Sequence, residues 1–92
     1  MIKSFKHKGL ERFFWRGSTA GIQAQHAKRI SMILGILDAA ESVEDMDTPI
    51  FRLHPLLGGR QGIWSVRVNG NWRITFRFEG GHAEIVNYED YH

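Results

Sequence analysis

The sequence predicts an α+β fold: an N-terminal strand and two helices packed on one face of a curved, mainly antiparallel sheet of four to five strands. Three observations predict it. Trp64, Val66 and Val68 alternate with polar residues before an Asn69-Gly70 signal, and Trp72, Ile74, Phe76 and Phe78 alternate with Arg73, Thr75 and Arg77 after it. Such period-two runs make an antiparallel hairpin with one buried face. Residues 8–40 instead carry apolar stripes at helical spacing. The helical segments precede the main strands rather than alternating with them, which segregates the two layers.

Taken in order, Ile2 to Phe5 reads as a short edge strand. Lys8 to Arg16 reads as a helix, with Leu10, Phe13 and Phe14 on one face and Gly17-Ser18-Thr19-Ala20-Gly21 ending it. A second helix is expected from about Gln23 to Ala40, its stripe formed by Ala27, Ile30, Leu34 and Leu37 and widened by Ile33 and Ile36. Gly35 weakens it by about 1 kcal/mol relative to alanine. The acidic stretch Glu41 to Thr48 closes at Pro49. Phe51 to His54 alternates again, and Pro55 to Gly62 is a loop by its Pro and Gly content. In the hairpin, a two-residue Asn69-Gly70 turn would set Val66 against Arg73. A three-residue loop sets apolar against apolar and is therefore expected, with Gly70 in a left-handed bulge position. A Gly80-Gly81 turn leads to a last strand from Ala83 to about Tyr88. It pairs Phe78 with Ala83, Phe76 with Ile85, Arg77 with Glu84 and Arg73 with Tyr88.

The 92 residues are read as one domain, 1–92, with a modest core strengthened by eleven aromatic residues. There is no cysteine, so neither a disulfide nor a thiolate metal site holds the fold. No apolar run approaches the ~20 residues that span a bilayer. The N-terminal residues lack the apolar core of a signal peptide, so a cytoplasmic protein with no membrane partner is expected. The net charge of +2 hides an uneven distribution. Residues 1–30 hold seven Lys or Arg against one acid, and residues 31–50 hold five acids and no base. Residues 51–80 return five arginines against one glutamate. Basic segments of this kind suit an anionic partner such as nucleic acid.

Side-chain alternation collects polar groups on the sheet face that the helices leave open. Arg52, His54, Arg67 and Arg73 belong to it, joined from the last strand by Glu84, Tyr88, Asp90 and His92. Tyr91 has the opposite parity and joins only if the chain end leaves strand geometry. Imidazoles and carboxylates exchange protons near neutral pH. Arginine forks hold phosphate oxygens, and tyrosine stacks on a splayed base. These are useful groups for cleaving RNA through its own 2′-OH, without marking that chemistry by themselves. Arg77 is expected to pair with Glu84 as scaffolding. Glu89 is expected to be solvated, and His7, His26 and His82 are expected on the surface. Asp90 and His92 lack a close-spaced third ligand, so no metal and no cofactor is expected.

Several stretches carry a family resemblance: Met1-Ile-Lys-Ser-Phe5, Leu53-His-Pro-Leu56, Trp64-Ser-Val66, Asn71-Trp-Arg-Ile-Thr-Phe76 and Asn87-Tyr-Glu-Asp-Tyr-His92. Together, and in this order, they resemble the HigB-like toxins of the RelE/ParE superfamily along the whole chain. The resemblance implies a RelE-like fold and the toxin of a type II toxin–antitoxin pair. It further implies a ribosome-dependent, metal-independent mRNA endonuclease that cuts in the ribosomal A site. The implied partners are the ribosome with its mRNA and a HigA-like helix-turn-helix antitoxin, through which alone the toxin meets DNA. The family's catalytic positions fall on His54, Arg73, Asp90, Tyr91 and His92, with Arg60, Arg67 and Tyr88 as candidate RNA contacts. One departure is Leu57, where such toxins often carry a lysine; either Arg60 or Arg67 supplies that charge, or cleavage is weaker. ParE relatives share the fold but inhibit gyrase, and they lack an Asp90-Tyr91-His92-like ending. An inert nucleic-acid-binding domain is the third reading, resting on the basic segments alone.

Overall fold

The computed structural model describes residues 1–91. Two helices, α1 (Lys8–Arg16) and α2 (Ala27–Ala39), precede four strands: β1 (His54–Pro55), β2 (Ile63–Asn69), β3 (Trp72–Glu79) and β4 (His82–Asp90). The strands form one antiparallel sheet in the order β1-β2-β3-β4. Ile30, Ile33, Leu34 and Leu37 of α2 are buried in one cluster with Val66, Val68, Ile74, Phe76, Val86 and Tyr88 of the sheet. The α+β architecture with helices on one sheet face is thus the one the alternation predicts.

Helix α1 starts on a side-chain cap, His7 Nδ1 accepting from the Leu10 N–H at 2.9 Å. It ends at Gly17, whose φ of 75° lets its N–H return to the Phe13 carbonyl. The second helical stretch begins at Ala24 as one 3-10 turn, Ala24–His26, before α2 proper. Gly9 of α1 lies directly against Gly21, and a Cβ on Gly21 would sit 2.5 Å from the Gly9 Cα. This backbone contact sets how closely α1 approaches the segment leading into α2.

The N-terminal residues do not form a full strand. Ile2 and Phe5 make parallel bridges to Ala83 and Val86, so the segment runs along the outer edge of β4. The Ile2 N–H also donates to Asp38 Oδ1 at 2.9 Å, tying this edge to α2. The strand expected over Phe51 to His54 shrinks to β1. The Phe51 and Arg52 N–H groups both donate to the Thr48 carbonyl, and Arg52 takes a φ of 50°, so the chain turns here instead of extending. Phe51 is buried at that turn and its carbonyl accepts from the Arg67 N–H.

In the β2–β3 hairpin, Val66 faces Ile74 and Trp64 faces Phe76, the apolar-on-apolar register that burial demands. The loop differs from expectation. Gly70 and Asn71 make a two-residue turn closed by Asn69 and Trp72, and an irregularity between Arg67 and Asn69 restores the register. The extra residue sits in the strand rather than the loop.

The β3–β4 pairing begins as expected, with Phe78 opposite Ala83 and Arg77 opposite Glu84. It then shifts by one residue, so that Ile74 faces Tyr88, Arg73 faces Glu89 and Trp72 faces Asp90. The expected pairings of Phe76 with Ile85 and Arg73 with Tyr88 are overturned. The cause is a bulge at Ile85, whose φ is 48°. Its N–H donates to Ser4 Oγ at 2.8 Å, while the Val86 N–H donates to the Ser4 carbonyl at 3.1 Å. The N-terminal segment thereby holds the bulge in place.

We expect Gly21→Ala to lower the unfolding free energy by about 1–3 kcal/mol, because the added methyl meets backbone that cannot yield cheaply. Urea denaturation measures it; an unchanged midpoint would show that the Gly9–Gly21 approach is not tight.

Candidate active site

The bulge decides which β4 side chains reach the open sheet face. Beyond Ile85 that face takes Asn87, Glu89 and Tyr91, while Tyr88 turns inward. Tyr88 is only 5 % exposed, and its hydroxyl lies 2.7 Å from His26 Nδ1 and accepts from the Gln23 N–H at 3.4 Å. Trp72, His26 and His7 all make ring contacts with it. Burial raises its pKa above the ordinary phenol value. Tyr88 therefore belongs to the core, and the expectation that it meets RNA on the arginine face is corrected. His26 is likewise buried rather than on the surface. Asp90 takes the Tyr88 side of the strand by register, opposite Trp72, and not the parity expected for it.

On the open face, Arg67 of β2 lies directly opposite Arg73 of β3. Both guanidinium groups donate to the Gly70 carbonyl, Arg67 Nε at 3.4 Å and Arg73 Nη1 at 3.2 Å. Like charges paired across strands destabilise a sheet. Burial pushes the Arg73 pKa below the ordinary arginine value, and the Arg67 and Arg52 charges push it the same way, with Tyr91 opposing. Arginine stays protonated at any working pH, so the result is crowded cation rather than lost charge. Among the described residues no carboxylate lies within 4.0 Å of Arg52, Arg67 or Arg73, and Arg73 Nε is buried without a hydrogen-bond partner. An anion bound here would relieve this crowding of like charge.

His54 pairs with Ser65 across β1 and β2, which places it on the same face one alternation from Arg67. Its Nδ1 is 3.2 Å from the Pro55 carbonyl. Tyr91 is 40 % exposed, and its N–H donates to the Asn71 carbonyl at 2.8 Å, which fixes the chain end beside the hairpin turn. It lies close enough to interact electrostatically with both Arg60 and Arg73, so it stands on the arginine side. Sequence parity had excluded Tyr91 unless the chain left regular geometry, and the bulge is that departure. His92 lies outside the described residues.

Arg60, expected as an RNA contact, is committed elsewhere. Its two terminal nitrogens donate to the Glu89 carboxylate at 2.8 and 2.7 Å. The Thr75 hydroxyl and Asn87 amide also donate to Glu89, at 2.7 and 3.2 Å. Glu89 is therefore no solvated residue: the Arg60 bonds, helped by Thr75 and Asn87, bring its pKa down from 4.5 to about 2. This clasp draws the 55–62 loop over the sheet. Leu57 on that loop is 85 % exposed, and Arg60 is engaged by the Glu89 carboxylate. No signal in the sequence marks Glu89, because the bulge that turns it to this face sits at an isoleucine rather than a glycine. Arg29, also unmarked, sits over the Phe51 ring at 5.7 Å from its centre and donates to the carbonyls of Ile50 and Arg67, holding the Arg52 turn against β2.

The chain matches the family model of the RelE-like toxin of the type II toxin–antitoxin system HigB over residues 3–92. It is 52 % identical, over the full length of both chains, to a Proteus vulgaris protein named Endoribonuclease HigB.

The clasp yields a pH prediction. A carboxylate with a depressed folded-state pKa adds stability that is present above its unfolded value of 4.5 and is lost as pH falls towards 2. Glu89→Gln should cost about 1–2 kcal/mol at neutral pH, a range reduced for the part-exposed Arg60. Thermal unfolding at stepped pH should show the gap between wild type and variant closing from pH 4.5 downwards. A gap constant with pH would refute the ionic clasp.

Proposed function

The chain belongs to the HigB-like family of RelE-like toxins from type II toxin–antitoxin systems, and on that premise we propose that it is an endoribonuclease that cuts mRNA on the ribosome. The observation that carries the reading is the set of arginines 52, 67 and 73, uncompensated among the described residues, beside His54 and Tyr91. In the proposed reaction the ribose 2′-OH attacks the adjacent phosphorus and loses its proton to a basic group. The bond to the 5′-oxygen breaks as that oxygen takes a proton, leaving a 2′,3′-cyclic phosphate and a 5′-hydroxyl. Arg73 holds the phosphate and stabilises the charge that grows on its oxygens, with Arg67 beside it. His54 and His92 divide the two proton transfers, imidazole being a side chain that can both give and take a proton, while Asp90, on the Tyr88 side of β4, is left to a supporting role. Tyr91 orients the RNA by stacking or by its hydroxyl. No group in this scheme requires a metal.

Type II membership implies an antitoxin partner. We take that partner to be a HigA-like protein and the site of action to be the cytoplasm, where ribosomes are. No helix among the described residues is long and apolar enough to cross a membrane.

Arg73→Ala should lower cleavage of ribosome-bound mRNA by about 10²–10³-fold, the usual loss for one charge-stabilising donor. His54→Ala and His92→Ala should also impair cleavage, each variant keeping the wild-type far-UV spectrum. Primer extension on programmed ribosomes in EDTA reads the cut and its position. Full cleavage by the Arg73 variant would overturn the assignment. Intact mRNA with disturbed DNA supercoiling in expressing cells would overturn the nuclease reading.

A further inference from the structure

We propose that a second phosphate of the RNA strand binds in a cleft at the other end of the same sheet face, held by Lys6 and Arg77. The inference rests on the RNA-directed reading above. The cleft has a volume of about 160 Å³ and lies where the 58–62 loop folds over the sheet. Lys6, Gln61, Thr75, Arg77, Ile85 and Asn87 line it.

Arg77 had an obvious structural partner in Glu84, which lies directly opposite it in β4. The ion pair does not form: among the described residues no carboxylate is within 4.0 Å of Arg77 or of Lys6. The bulge residue Ile85 follows Glu84 directly, and Lys6 comes alongside through the Lys6 N–H to Val86 carbonyl bond at 2.9 Å. Both cations are exposed. Lys6 comes from the N-terminal segment and Arg77 from β3, so the fold converges them from distant parts of the chain. The Asn87 amide and the Gln61 side chain add neutral hydrogen-bonding groups at the cleft.

Position along β3 makes the cleft a separate subsite. Arg73 and Arg77 are four residues apart on one strand face, or ~13 Å at ordinary strand rise. One phosphate group cannot bridge that distance, but a strand crossing the face can touch both. Between them lies Glu89, whose negative charge would repel such a strand. Arg60 cancels it with a two-pronged pair, so the path from one cationic site to the other crosses neutral ground. Charge complementarity and continuity with the arginine site together favour an RNA backbone over an acidic protein segment.

The test uses ribosomes programmed with an mRNA whose A-site codon carries 2′-O-methyl riboses, so that binding is read without cleavage. Lys6→Ala and Arg77→Ala should each reduce the slope of log affinity against log KCl concentration by about 0.7, the value for one single-strand phosphate contact. With unmodified mRNA each should raise KM and leave the saturating single-turnover rate within about twofold of wild type. Both variants should keep the wild-type unfolding midpoint. An unchanged salt slope would overturn the proposal. So would an equal drop for Lys28→Ala, a cation on α2, because the effect would then be one of net charge. Loss of antitoxin binding with ribosome affinity intact would reassign the cleft to the antitoxin and also overturn it. If the wild type binds these ribosomes but leaves unmodified mRNA whole, the nuclease reading fails while the phosphate contact is still measured by the salt slope.

Discussion

The structure depends on one backbone distortion, the bulge at Ile85. A β-branched residue at a φ of 48° is a rare conformation for an L-amino acid and costs of order 1–3 kcal/mol. It persists because Ser4 takes the hydrogen bonds of both Ile85 and Val86, and because the residues on either side fall into place. Before the bulge Ala83 is buried under the helical layer, and after it Val86 and Tyr88 are. Without the extra residue, strict alternation would send Ile85 inward and leave Val86 and Tyr88 on the polar face. The core therefore repays the strain through Val86 and Tyr88.

The candidate functional face follows from the same shift. Turning Tyr88 inward turns Glu89 outward, where it gathers Arg60, Thr75 and Asn87 and draws the 55–62 loop over the sheet. The loop is thus held by charge more than by apolar burial: of its residues, Leu56 is buried while Leu57 stands in solvent. Tyr91 emerges next to the hairpin turn, close to Arg73. Three arginines remain on this face without carboxylate partners among the described residues. Packing does not explain them, since directly opposed like charges oppose sheet formation. A polyanionic ligand would relieve their repulsion.

A second layer of support comes from the core side. The His26, Trp72 and Tyr88 rings hold the last part of β4 against the start of α2, and the Tyr88 hydroxyl closes the contact with Gln23 and His26. Arg29 does the same for the turn at Arg52. The candidate site is thus carried on a hairpin whose reverse face is packed aromatic, so its arginines are presented from rigid backbone.

Much of this protein was legible in its residues alone. Alternation about Asn69-Gly70 predicts the β2–β3 register because one wrong step would expose Trp64, Val66, Ile74 and Phe76 together. Helical spacing likewise predicts α2, and the quoted motifs predict the HigB-like family, which the comparison shows. The placement of β4 beyond Ile85 was not legible. Alternation carries a strand's parity forward only while the strand is regular, and nothing in Glu84-Ile85-Val86 announces an extra residue. The bulge is settled by Ser4, some eighty positions away, and by the space beneath α2. Hence Tyr88, Glu89 and Tyr91 exchanged the faces that parity assigned them. Arg60 was likewise read as a free cation, because its partner came within reach only through that exchange. Local pattern determined which segments fold and which face is apolar; tertiary contacts with the N-terminal edge decided which polar groups meet.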